Sequence, residues 1–253
     1  MSRPEHVVEP PRRQFLKGAI VVAAVAPFQI GGVDAESSAP AEAVRPPVSL
    51  AYPPIPDVGP GGYTFFSAEE ATFVEAVADT LCPADALTPS GTDCGIAAFF
   101  DRQLASSYGI GARLYMDGPW QRGKPQQGYQ LPLDPAGWFR AGLDAAQEAC
   151  QARHGKSFDE LSSHDRDAFL QELAAGRTDN DRFALSEWFN ALMYPLFTQA
   201  CFADPIYGGN RDKVFWRMIG YPGLPAFYTE DVKTYRGKPH PGAKTPKSIA
   251  DFT

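Results

Sequence analysis

Apolar side chains recur every three or four residues in five segments of this chain and alternate in none, which confines it to a helical fold. Ser67-Ala68-Glu69-Glu70 has the form of a capping box, and Phe73, Val74, Val77 and Leu81 follow on one helical face until Pro83 stops it. Ile96, Phe99, Phe100 and Leu104 mark a second helix over 95–105. A third, from Pro135 to His154, carries Trp138, Phe139, Leu143, Ala146 and Cys150, with proline in its first turn and Gly155 at its end. Ser162 and Asp165 open a fourth, which places Phe169, Leu170 and Leu173 inward and closes at Gly176. The longest apolar element spans Arg182 to Phe202, and Pro195 should kink it, because proline removes a backbone hydrogen bond. The expected class is all-α: one domain of five or six helices, residues 63–223, with long loops.

The two ends have a different character. Arg12-Arg13-Gln14-Phe15-Leu16-Lys17 precedes an uncharged run from Gly18 to Gly32, the pattern of a removable twin-arginine export signal over 1–35. Its apolar part is too short to span a bilayer, which takes roughly 20 residues. Cleavage after Val33-Asp34-Ala35 fits better than after Ala26, where proline would follow the cut. Residues 36–62 are rich in Pro and Ala and read as an extended linker. Residues 224–253 are rich in Pro, Gly and Lys and read as an extended C-terminal arm. The expected location is the periplasm, reached by a route that carries proteins already folded. A net charge of −7 argues against nucleic acid as a partner.

Candidate chemistry is sparse. Gly109-Ile110-Gly111 lacks the strand that a nucleotide fingerprint needs, and Gly-x-Ser-x-Gly is absent. His154 ends a helix, where a basic residue suits the dipole, and His164 lies in an acidic first turn. Glu69, Glu70 and Glu75 fall near a helix start, where carboxylates are favourable anyway. No spacing assembles a general acid, a base and an oxyanion donor, so no catalytic, metal or cofactor-binding residue is expected in this chain. Cys82, Cys94, Cys150 and Cys201 form no Cys-x-x-Cys, which disfavours zinc and iron–sulfur sites. Cys82 and Cys94 flank a turn-rich segment that a disulfide could close in an oxidising compartment. The loop over 117–134 contains Trp120 and Tyr129, and such long loops are usually functional or disordered. Its aromatic residues favour docking onto another surface.

One segment exceeds what packing requires: Asp204-Pro-Ile-Tyr-Gly-Gly-Asn-Arg-Asp212, then Trp216 and Ile219-Gly-Tyr-Pro-Gly223. Paired glycines and Asn or Asp side chains make rigid turns. Such turns could bury Trp216 in the domain while presenting Tyr207 and Tyr221 to a neighbour.

This segment resembles the hallmark of the gluconate 2-dehydrogenase subunit 3 family. The resemblance extends over the Phe66–Glu70 helix start, the Ile96–Leu104 helix and the Pro246–Phe252 ending. It implies a non-catalytic small subunit of a membrane-associated, flavin-dependent sugar or sugar-acid dehydrogenase at the outer face of the bacterial inner membrane. The implied heterotrimer holds FAD in a large flavoprotein and haem c in a multihaem cytochrome, with the export signal supplied by the small subunit. Pro11 before the arginine pair and the 117–134 loop depart from the family pattern. Trp120, Tyr129, Tyr207, Gly208, Gly209, Asn210, Trp216 and Tyr221, with the C-terminal arm, are the expected partner contacts. The alternative is a stand-alone exported enzyme or sugar-binding protein, which would carry a chromophore, metal or saccharide when purified alone.

Overall fold

A computed structural model describes residues 62–252, Arg122, Asp181 and Ala226 excepted. The export-signal residues Arg12, Arg13, Phe15, Leu16 and Lys17, and the linker up to residue 61, lie outside the described residues. Within them the fold is helical, with no strand. Helix α1, Ala68–Leu81, starts at the capping box: Ser67 Oγ accepts from Glu70 N–H, and Glu70 Oε2 accepts from Ser67 N–H at 2.7 Å. Helix α2 is Ile96–Leu104. Helix α3, Pro135–His154, is capped by Asp134, whose Oδ1 accepts from Gly137 N–H at 2.8 Å. Helix α4, Ser163–Ala174, is capped by Ser162 through Asp165 N–H.

The long apolar element starts three residues later than its sequence pattern suggests. Asn180 Oδ1 accepts from the N–H groups of Arg182 and Phe183, and Asp179 Oδ1 accepts from Ser186 N–H, so the first helical residue is Leu185. Helix α5, Leu185–Trp188, passes through a π-helical turn, Phe189–Met193, into α6, Tyr194–Phe202. The π turn lies just before Pro195, where a kink is expected from the sequence. Pro195 has no N–H to give the preceding turn, and a widened turn ending in Tyr194 N–H to Phe189 O accommodates that loss.

Helix α1 packs on α2 and α4, α3 on α5, and α2 on α6. Trp138, Phe139, Trp188, Phe66, Phe100, Phe158 and Phe169 meet between them, fully buried. Phe139 contacts Phe100 and Trp188 edge-on, with centroids 6.0 and 5.9 Å apart. Each such ring contributes roughly 1.5–3 kcal/mol through burial. The 117–134 loop lies on this body: Tyr129 stacks on Trp138 with centroids 4.0 Å apart, and Leu131 and Leu133 pack against the core.

Two polar groups are buried where the apolar periodicity predicted only packing. Asp101 on α2 accepts from Thr64, Phe65 and Phe66 N–H at 2.8, 2.7 and 3.1 Å. Arg140 on α3 donates to Phe65 O at 2.6 Å and to Glu70 Oε1 at 3.0 Å, and lies over the Phe65 ring. Together they fasten the strip 63–66, by which the chain enters the domain.

All four cysteines are buried and no disulfide joins them, so the expected Cys82–Cys94 bond is not formed in this structure. Each of those thiols instead faces the same acceptor, the Pro89 carbonyl, at 3.9 and 3.7 Å. Burial pushes the Cys94 thiol up to about 12 and Cys150 up to about 11. A raised thiol value stabilises the fold below the unfolded value near 9, and that contribution is lost as pH rises toward the folded value. Iodoacetamide should therefore leave the native protein unmodified at pH 8. It should modify four thiols after unfolding without reductant, counted by mass; two instead of four would mean a bridged pair.

Candidate functional site

The turn after α6 is built by side chains that satisfy backbone groups. Asp204 Oδ1 accepts from Ile206 N–H at 3.0 Å and opens a 3-10 turn, Pro205–Tyr207. Its Oδ2 accepts from Ile249 N–H at 2.9 Å, which ties down the C-terminal segment. Asn210 is wholly buried with φ 45°; its Nδ2 donates to Ala203 O and its Oδ1 accepts from Phe215 N–H. One amide thus links the end of α6 to the start of α7, Val214–Ile219. Asp212 and Lys213 also have positive φ, a region that Asn and Asp tolerate better than Lys.

Gly209 is required by closeness: a Cβ there would stand 2.3 Å from Ala200 O. Gly209 therefore packs backbone on backbone against the end of α6, and a Cβ on Gly208 would meet the Arg102 side chain at 3.2 Å. Arg211 extends the same contact to α2, its N–H bonding Cys94 O and its guanidinium bonding Asp93 O. Trp216 is buried, donates Nε1–H to Phe202 O at 2.8 Å and meets Tyr221 edge-on.

The second turn clasps the end of the chain. At Gly223, φ 81°, a Cβ would stand 2.0 Å from Lys247 O. Leu224 N–H bonds Lys247 O and Lys247 N–H bonds Pro222 O, an isolated parallel bridge. The segment 224–253 carries a short helix, α8, Thr229–Thr234, and Lys213 pairs with Asp251 near its end. Among the described residues from Gly223 onward, only Gly223, Pro246 and Ser248 are buried, so few of the arm's own side chains are packed and it is held along the body at these points. Lys213 and two Ser248 bonds hold the Asp251 carboxyl below the ordinary carboxylate range.

The structure thus separates the expected contact residues into two groups. Gly209, Asn210 and Trp216 are buried supports, and Tyr129 is spent largely on Trp138. Tyr207, 49 % exposed beside Ile206, is the member most open to a neighbour, while Trp120, Gly208 and Tyr221 are half-buried. Met218, Ile219 and Phe227, absent from the expected set, are also exposed apolar side chains. Sequence reading missed them because an exposed Met or Ile next to Trp216 looks like core. The buried Asp101–Arg140 anchor was missed for a related reason: both residues lie among inward-facing aromatics.

Among the described residues no group of three or more His, Cys, Asp or Glu is placed to hold a metal ion. No described helix is long and apolar enough to cross a membrane. The family model described as Gluconate 2-dehydrogenase subunit 3 matches residues 68–223, from the first residue of α1 to the glycine that clasps Lys247. No curated protein and no solved structure matches the chain.

Proposed function

This chain belongs to the gluconate 2-dehydrogenase subunit 3 family, and from that premise we propose that it exports and stabilises a large flavoprotein as the non-catalytic small subunit of an FAD-dependent dehydrogenase. Family membership makes it an accessory subunit of a multi-subunit dehydrogenase. The finer reading assigns FAD to the large subunit, haem c to a multihaem cytochrome subunit, and the assembly to the periplasmic face of the inner membrane. One observation carries it: the residues of the family segment are spent on turn geometry. Asp204 and Asn210, its most reactive-looking side chains, have their oxygens on backbone N–H groups. Such a segment makes a stiff presenting surface, with Tyr207 and Ile206 outward, and aromatic side chains are enriched as interface anchors.

Export by this chain follows from the arginine pair together with its linker. A signal on the small subunit can carry a signal-less partner only if the two associate before transport, so a pre-formed clamp is what the route requires. The test is copurification from membranes through a tag on this chain, with an absorption spectrum and mass identification of what is retained. Flavin and haem c bands that leave with the partners, and a colourless small subunit, are the expected result. Turnover of a sugar alcohol or acid by the isolated chain would overturn it and favour the stand-alone enzyme.

A further inference from the structure

Charge is divided unevenly along this chain. Residues 63–210 carry ten Lys or Arg against twenty Asp or Glu, whereas residues 211–253 carry eight against four. The positive segment is folded into a concave surface. A cavity of about 580 Å³ is walled by Met218, Ile219, Tyr228, Val232 and Tyr235, with Arg217 at its edge. A second, of about 400 Å³, is lined by four cations, Lys213, Arg217, Lys244 and Lys247, against two carboxylates, Asp212 and Asp251, and Arg217 belongs to both cavities. Met218, Ile219 and Val232 are 45, 56 and 68 % exposed.

Of the acidic groups at this surface, Asp251 pairs with Lys213 and Asp231 lies 3.5 Å from His240. Asp212 makes no ion pair among the described residues, so the four cations of the second hollow outnumber its two carboxylates. Lys244 and Lys247 are exposed and make no ion pair among the described residues. The surface is also held in place, since Gly223 and Lys247 are bridged and Ile249 is bonded to Asp204.

We propose that this groove takes an extended acidic segment of a partner subunit in the dehydrogenase complex. An apolar side chain of that segment enters between Met218, Ile219, Val232 and Tyr235, and its carboxylates lie over Arg217, Lys244 and Lys247. This deepens, and rests on, the accessory-subunit reading above. Opposite charge across an interface sets register and speeds encounter, and the apolar pocket supplies the anchor. The form of the surface favours a polypeptide over a lipid bilayer: a bilayer is met by convex apolar projections, whereas two joined hollows accept successive side chains of a chain.

The test is capture of the full complex through a tag on the large subunit, measuring how much of this chain is retained as sodium chloride rises. Lys244→Glu with Lys247→Glu should weaken retention by about tenfold or more and shift release to lower salt. Val232→Asp should weaken it at every salt concentration, and Lys156→Glu, on the helical body, should leave it unchanged. These side chains are exposed, and matching melting curves would show that the variants remain folded. Wild-type retention by variants that still form the complex would overturn the groove proposal and leave the accessory reading standing. Failure of the wild-type chain to be captured would overturn both. Loss of binding to phosphatidylglycerol vesicles with the complex intact would assign the surface to lipid instead. Loss of a self-dimer in light scattering with the complex intact would assign it to a second copy of this chain.

Discussion

Under the proposed escort role, replacing Arg12 and Arg13 by lysine should strand both this chain and the flavoprotein it is proposed to carry in the cytoplasm. Lysine keeps the positive charge of the signal, so membrane electrostatics and the apolar run from Gly18 to Gly32 are preserved. What is lost is the planar guanidinium pair, and a twin-arginine signal is an address read by a receptor, not an anchor. Periplasmic dehydrogenase activity should fall to background, while capture from the cytoplasm still recovers the two subunits together. That second measurement separates export from assembly. A flavoprotein that still reached the periplasm would carry its own signal, and the escort role would fail even with the complex intact.

The parts of the fold that were legible in the sequence are those fixed by neighbours along the chain. Ser67 and Glu70 are three residues apart and satisfy each other's backbone, so the start of α1 is determined locally. Asp134 and Ser162 do the same for α3 and α4. The fifth element was less legible because its start depends on Asp179, seven residues before the amide it caps, and on a π turn that leaves the apolar pattern unbroken. The segment after Gly223, read as an extended arm, carries the helix Thr229–Thr234. Its attachment to the body was not legible, since Asp204 and Ile249 are bonded across 45 positions.

The candidate site was legible as an unusual segment, and the family resemblance drawn from it agrees with the match over 68–223. The division of labour within it was harder to see. Asn210 looks on paper like a solvent-facing turn residue and is in fact completely enclosed, because both ends of its amide bridge consecutive helices. Charge told more than motif here: the shift from acidic to basic at Arg211 is visible in composition, but only the folded arm gathers Arg217, Lys244 and Lys247 around one hollow.

Asp101→Ala should be the most destabilising single change in the described domain. The carboxylate is 4 % exposed and accepts three consecutive backbone N–H groups, from Thr64, Phe65 and Phe66. Alanine would leave those donors without an acceptor. Uncompensated groups of this kind cost about 3–5 kcal/mol, a large share of the roughly 5–15 kcal/mol that holds a domain together. The melting temperature should fall by about 10 °C, given roughly 2–4 °C per kcal/mol in a domain of this size. Asp101→Asn should fall between alanine and wild type, because one amide oxygen can still serve Phe65 and Phe66, which share Oδ1, while Thr64 loses its partner. A control at exposed Lys156 should stay within about 0.5 kcal/mol. If Asp101→Ala melts with the wild type, the entry strip is not held by this carboxylate and Arg140 alone anchors it. The strip leads directly into α1, so loosening it should also expose residues 63–66 to protease. In the proposed escort role that junction carries the connection between signal and clamp, and Asp101→Ala should lower the amount of intact complex delivered even where both arginines are present.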